Sequence, residues 1–195
     1  MDPVLFTLAT LAVLAAPGPT NTLLAASGAS VGARRSLKLM PAEMGGYLLS
    51  ITLLKVVFGP VVAQSPGMML TLKLVASLWL ALCALRLWRE AGSAFKTDKA
   101  PISVGRVFVT TLANPKALIF AFGILPQGPL TELAPWFLGF CGLISVVALG
   151  WIGMGVLVAR SAGPLASPQR VWRAAAVVLT TFATVIAGSA IAAVY

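Results

Sequence analysis

Residues 4–35 read VLFTLATLAVLAAPGPTNTLLAASGASVGARR. Two apolar runs, Val4–Ala16 and Thr22–Ala33, flank the interruption Pro17-Gly18-Pro19-Thr20-Asn21. A helix needs about 20 apolar residues to cross the hydrocarbon core of a bilayer. The stretch is long enough to cross, but it is broken in the middle. A secretory signal fits it poorly, because Met1-Asp2-Pro3 offers no positive side chain ahead of the apolar run.

The same apolar texture continues along the chain. Further runs are Leu39–Gln64, Met68–Leu87, Val107–Leu125 (interrupted by Asn114-Pro115-Lys116), Glu132–Ala159 and Ala174–Val194. Of the 195 residues 59% are hydrophobic and 10% charged, and the mean hydropathy is +0.97. Soluble domains carry about 25% charged residues. A chain this apolar cannot cover itself with polar groups, whereas lipid demands only internally bonded backbone. The expected fold is all-α: a polytopic membrane protein of about six transmembrane helices.

The net charge of +9 would suggest nucleic acid in a soluble protein. Here the basic residues sit in three gaps: Arg34, Arg35 and Lys38; Arg86, Arg89, Lys96, Lys99 and Arg106; and Arg160, Arg170 and Arg173. With six spans all of them fall on one side of the membrane, which the positive-inside rule makes cytoplasmic. Both termini are then periplasmic or extracellular. No nucleic-acid module is readable. Histidine is absent, and Cys83 and Cys141 lie apart within apolar runs, where a small packing role suits them. Neither a metal site nor a cofactor site is expected from this set.

Three spans before the central loop and three after it run in opposite directions. The division is 1–87, the basic loop 88–106, and 107–195. Leu14-Ala15-Ala16-Pro17 in the first span matches Leu112-Ala113-Asn114-Pro115 in the fourth. Each is a proline break in the first helix of its half. Inverted-repeat transporters place discontinuous helices at corresponding positions, with the solute site where they meet. Proline has no N–H and clashes with the carbonyl four residues earlier. Pro17 should therefore release the carbonyl of Val13, Pro19 that of Ala15, and Pro115 that of Thr111. The alternative is a packing kink of the kind common in membrane helices.

Pro17-Gly18-Pro19-Thr20-Asn21, Asn114-Pro115-Lys116-Ala117 and Leu125-Pro126-Gln127 together resemble the LysE/RhtB family of amino-acid exporters, across essentially the whole chain. The resemblance implies a bacterial inner-membrane exporter of amino acids or similar small metabolites, linked to the proton-motive force. The chain departs from the family pattern in carrying Thr20 between Pro19 and Asn21, and in a thinner glycine stretch, Gly32, Gly45 and Gly46.

Ionisable groups inside a membrane are candidates for function. Lys116, deep in the fourth span, suits a solute carboxylate, or alternatively holds the helix break together through freed carbonyls or Glu43. Glu43, near the cytoplasmic mouth, suits proton coupling or a solute ammonium; the competing role is a salt bridge to Lys38 or a neighbouring arginine. Lys55 lies about 12 Å of helix from the outer end of its span, where it lines the exit path or snorkels outward. Lys73 lies closer to that end and is expected to snorkel. Asn21, Asn114 and Thr20 can both donate and accept, as a zwitterion requires. The expected solute site is thus Pro17, Gly18, Pro19, Thr20, Asn21, Asn114, Pro115 and Lys116, with Glu43 and Lys55 on the coupling or exit route. One acid against three lysines within the spans favours a neutral or anionic solute. Tyr47, Trp79 and Trp151 are expected to pack or to sit at the interface. Two other classes remain: a cation or metal exporter of the same superfamily, for which the ligands are sparse, and a non-transporting assembly subunit. Ala183, Ala187 and Gly188 form a small-residue face that would serve a partner helix, a homodimer, or internal packing.

Overall fold

The computed structural model describes residues 2–90, 101–126, 128 and 130–160, together with residues 173, 176, 177, 180, 181, 183, 184, 187 and 188 towards the C-terminus. Among the described residues every regular element is helical. Helix α1 spans Pro3–Ala15, started by Asp2, whose carboxylate accepts from the Val4 N–H at 2.7 Å. It ends because Ala16 precedes proline and is forced out of the helical region, to ψ 130°. Gly18 is fully extended, and α2 restarts at Pro19 and runs to Val31. Proline at the first helical position costs nothing, since that N–H has no helical partner. Gly32, at φ +80°, closes α2 in a conformation few other residues adopt.

Helix α3 (Ala33–Ser36) leads through a 3-10 turn into α4 (Met40–Gln64), and α5 follows at Pro66–Glu90. Helix α6 (Val104–Leu112) is capped by the Ser103 hydroxyl. After the second break come α7 (Lys116–Ile119), a π-helical turn over Phe120–Ile124, and α8 (Ala134–Arg160). Two stretches of 30 residues, Ala33–Val62 and Thr131–Arg160, are long and apolar enough to cross a membrane unbroken. Two bent pairs are long and apolar enough only when taken together: α1 with α2, bent by 65°, and α6 with α7 and its π turn, bent by 51°.

Burial is inverted relative to a soluble protein. Leu5, Leu8, Leu53, Val57, Leu138, Val146 and Leu157 are exposed, while Thr20, Asn21, Glu43, Asn114 and Lys116 are buried. Lipid accounts for both halves of that pattern. The core is tied by close helix approaches. A Cβ on Gly28 of α2 would fall on the backbone of Ile152 in α8, one on Gly155 of α8 would fall on that of Ala25, and one on Gly46 of α4 would lie 2.8 Å from the Thr111 Cβ of α6. Small residues are how membrane helices come this close.

Several boundaries differ from the sequence expectation. The loop expected over 88–106 is shorter, because α5 continues to Glu90 and α6 begins at Val104. Arginines and a tryptophan extend a helix past the hydrocarbon edge as readily as they end it. Lys96, Lys99 and Arg170 lie outside the described residues, as do the side chains of Lys73, Cys83 and Arg86. The first break is also tighter than expected, confined to Ala16–Gly18, with Thr20 and Asn21 already in the first turn of α2.

Candidate functional site

The two breaks meet. At the first, the exposed carbonyls are those of Leu14 and Ala16. The Asn21 amide, folding back from the start of α2, donates to Leu14 at 2.7 Å and to Ala16 at 2.9 Å. Lys116, arriving from the second break, donates from Nζ to the same two carbonyls, to Leu14 at 3.4 Å and more closely to Ala16. The carbonyls that the prolines are expected to release, those of Val13 and Ala15, are not the ones these two side chains take.

At the second break the expectation that Thr111 offers a freed carbonyl fails. The Asn114 N–H turns back onto that carbonyl at 3.0 Å, so a tight turn satisfies what Pro115 removed. The Asn114 side chain then holds the site together. Its Oδ1 accepts from the Lys116 N–H at 3.1 Å, starting α7. Its Nδ2 donates to Thr20 Oγ1 at 3.3 Å and to the Tyr47 hydroxyl at 3.2 Å. Thr20 in turn lies 3.1 Å from Thr111 Oγ1, which donates to the Val107 carbonyl at 2.8 Å. Side chains from α2, α4, α6 and the second break thus form one buried network.

Around it stand two groups with unspent capacity. Glu43 is 2% exposed, yet its Oε2 has no hydrogen-bond partner among the described residues. Among the described residues no ion pair joins it to Lys38. Thr10 Oγ1, on α1 about two turns before Pro17, is buried without a partner as well. Lys55 neither snorkels nor stands free: it is 8% exposed and donates to the Pro126 carbonyl at 2.9 Å, beyond the end of the π turn. Among the described residues no cluster of acidic, Cys or His side chains could hold a metal ion.

Sequence reasoning gave Tyr47 only packing. A usable signal existed: Glu43, Tyr47 and Ser50 recur at helical spacing in an otherwise apolar run, and all three are buried on one face of α4. The Tyr47 ring also packs edge-on to Phe120 and Phe140, with centroids 5.6 and 6.0 Å away.

Gly18 has a role beyond breaking the helix. A Cβ there would lie 3.3 Å from Lys116 Cε and 3.4 Å from its Nζ. The extended backbone itself tolerates alanine. Gly18→Ala is therefore expected to fold, to push the ammonium off the Ala16 carbonyl by a few tenths of an ångström, and to raise the KM of transport about threefold. Flux in proteoliposomes measures it; an unchanged KM would show that the lysine end moves aside freely.

Membrane-length helices broken where they meet, around buried amides and one ammonium, define a class: the polytopic membrane translocators, whose irregular backbone is tolerated at depth because protein surrounds it. Within that class the chain matches the LysE type translocator family over residues 11–191, and it belongs to that family. No curated protein and no solved structure matches it. The chain is thus a multi-pass membrane protein of a small-molecule translocator family.

Proposed function

We propose that this chain is a secondary active exporter of amino acids or similar small metabolites, driven by an inward proton and working by alternating access. The observation that carries the reading is the junction of the two breaks: Lys116 of one donates to the Leu14 and Ala16 carbonyls of the other, through a network buried from both sides. Alternating access requires an element with two arrangements, and two discontinuous helices joined by exchangeable polar contacts supply a candidate for it. In this reading about six spans form inverted halves, 1–87 and 107–195, joined through the cytoplasmic stretch 88–106, in a bacterial inner membrane with both termini outside. Pro17, Gly18, Pro19 and Pro115 shape the site, while Thr20, Asn21 and Asn114 hold it. Lys116 exchanges its carbonyl partners for the solute carboxylate. Glu43 carries the coupling proton, and Lys55 marks the outer end of the route.

The test is efflux from proteoliposomes loaded with each of the twenty labelled amino acids, with and without a pH gradient. Stimulation of one or a few of them by the gradient is the expected result. Glu43→Gln should abolish the stimulation while leaving the protein folded, since the amide keeps the volume and removes the exchangeable charge. Full gradient stimulation in that variant would take the coupling role away from Glu43. Failure of every amino acid with folded wild-type protein would overturn the substrate reading.

A further inference from the structure

The hydrogen-bond capacity of the network can be followed proton by proton. Thr111 gives its proton to the Val107 carbonyl, so the contact between Thr20 and Thr111 uses the Thr20 proton. Both amide hydrogens of Asn21 go to backbone carbonyls, and both of Asn114 go to Thr20 and Tyr47. The Asn114 oxygen is taken by the Lys116 N–H. The two asparagines, the first choices for holding a zwitterion, have their donors committed to the helix breaks. Tyr47 differs. Its hydroxyl accepts from Asn114, and no acceptor among the described residues takes its own proton. It is 1% exposed, where an unused donor is costly.

We propose that Tyr47 is a substrate-contacting residue whose hydroxyl donates to the solute carboxylate beside Lys116, with the unpartnered Glu43 oxygen one turn away on α4 facing the solute's cationic end. The inference rests on the exporter reading above and goes further by assigning recognition of the carboxylate to a residue outside both breaks. The geometry suits the task. Asn114 bonds the Tyr47 hydroxyl through Nδ2 and the Lys116 backbone through Oδ1, so one amide ties the tyrosine of α4 to the start of the segment that carries the lysine. The ring is held by Phe120 and Phe140, which are 4.7 Å apart and also buried, so the hydroxyl is fixed before the solute arrives. A donor prepared in this way discriminates strongly against a solute that cannot accept its hydrogen.

The test uses the full chain purified in detergent and the labelled amino acid that wild type exports fastest, paired with the amine that results from removing its carboxyl group. Equilibrium binding of both is measured for wild type and Tyr47→Phe, which keeps the ring and its contacts. The expected result is a loss of about tenfold in affinity for the amino acid and of less than about twofold for the amine. Equal losses for both ligands would mean that the hydroxyl only supports Asn114, and no loss would mean that it contacts nothing of consequence; either overturns the proposal. Tyr47→Ala, which also removes the ring, should weaken both ligands, and Tyr47→Phe should restore amine binding relative to it. A wild type that exports no amino acid sinks the exporter reading and this inference together. A wild type that exports one without selective loss in Tyr47→Phe sinks this inference alone.

Discussion

Lys116→Met should abolish export while leaving a folded protein. The methionine keeps an apolar stem of similar length and removes the ammonium. The carbonyls of Leu14 and Ala16 are not orphaned by the change, because the Asn21 amide still donates to both. The first break therefore survives, and the loss of one charge-assisted pair of bonds is offset by no longer holding an ammonium at 4% exposure. Unfolding in detergent should shift by no more than about 2 kcal/mol. Transport should fall far more. Removing one member of a buried, hydrogen-bonded charge pair costs about 2–5 kcal/mol, which is on the order of 30-fold to several thousandfold in affinity. Flux through proteoliposomes and unfolding in detergent, measured on the same preparation, separate the two roles of this lysine. A variant that transports well but melts early would make Lys116 a stitch between the breaks and nothing more. Lys116→Arg is expected to fail as well, because the lysine end already lies against Gly18, and a planar guanidinium has no room there.

That double role explains which parts of the molecule were legible in the sequence. Hydropathy and length alone give a helical membrane protein, because lipid permits little else. Pro17, Pro19 and Pro115 locate the breaks, because the missing N–H acts locally and needs no knowledge of the fold. The identity of the carbonyls is a different matter. Which carbonyls near the first break a side chain takes depends on where Asn21 and Lys116 are brought by the fold, and whether Thr111 is freed depends on a turn that the Asn114 N–H can close. Neither is fixed by residue type. Tyr47 is 67 positions from its partner Asn114, and only the packing of α4 on α6 brings them together. Its buried polar stripe with Glu43 was visible, but a stripe states that a face is buried and not what it meets. Lys55 shows the same limit: its depth was readable, while its acceptor, the Pro126 carbonyl, belongs to a turn after the π segment that no periodicity announces.

The largest effect on stability is expected at a position that sequence cannot single out. The run that becomes α8 contains Gly139, Gly142, Gly150, Gly153 and Gly155. A methyl group on Gly142, Gly150 or Gly153 would meet nothing within 4 Å, whereas one on Gly155 would fall on the Ala25 carbonyl oxygen, with the carbonyl carbon 2.7 Å away. Three residues earlier in α8, the Ile152 backbone takes the place that a side chain on Gly28 would need. The crossing of α2 and α8 is thus made backbone to backbone, and no flexible side-chain end is there to yield. Gly155→Ala must drive the helices apart by about an ångström, which opens the contact along both and moves the start of α2, where Thr20 and Asn21 hold the breaks. Overpacking costs about 1–3 kcal/mol where neighbours can adjust, and the rigid backbone here places the expected cost at or above the top of that range. Gly153→Ala supplies the internal control. It gains the alanine preference for helix, about 1 kcal/mol, without meeting anything, and should melt no earlier than wild type in detergent. If the two variants unfold together, the close crossing of α2 and α8 is wrong. If only Gly155→Ala is lost, the polar junction depends on a contact about one turn along α2 from Asn21 and about four turns along α8 from Phe140, made by residues that touch neither solute nor proton.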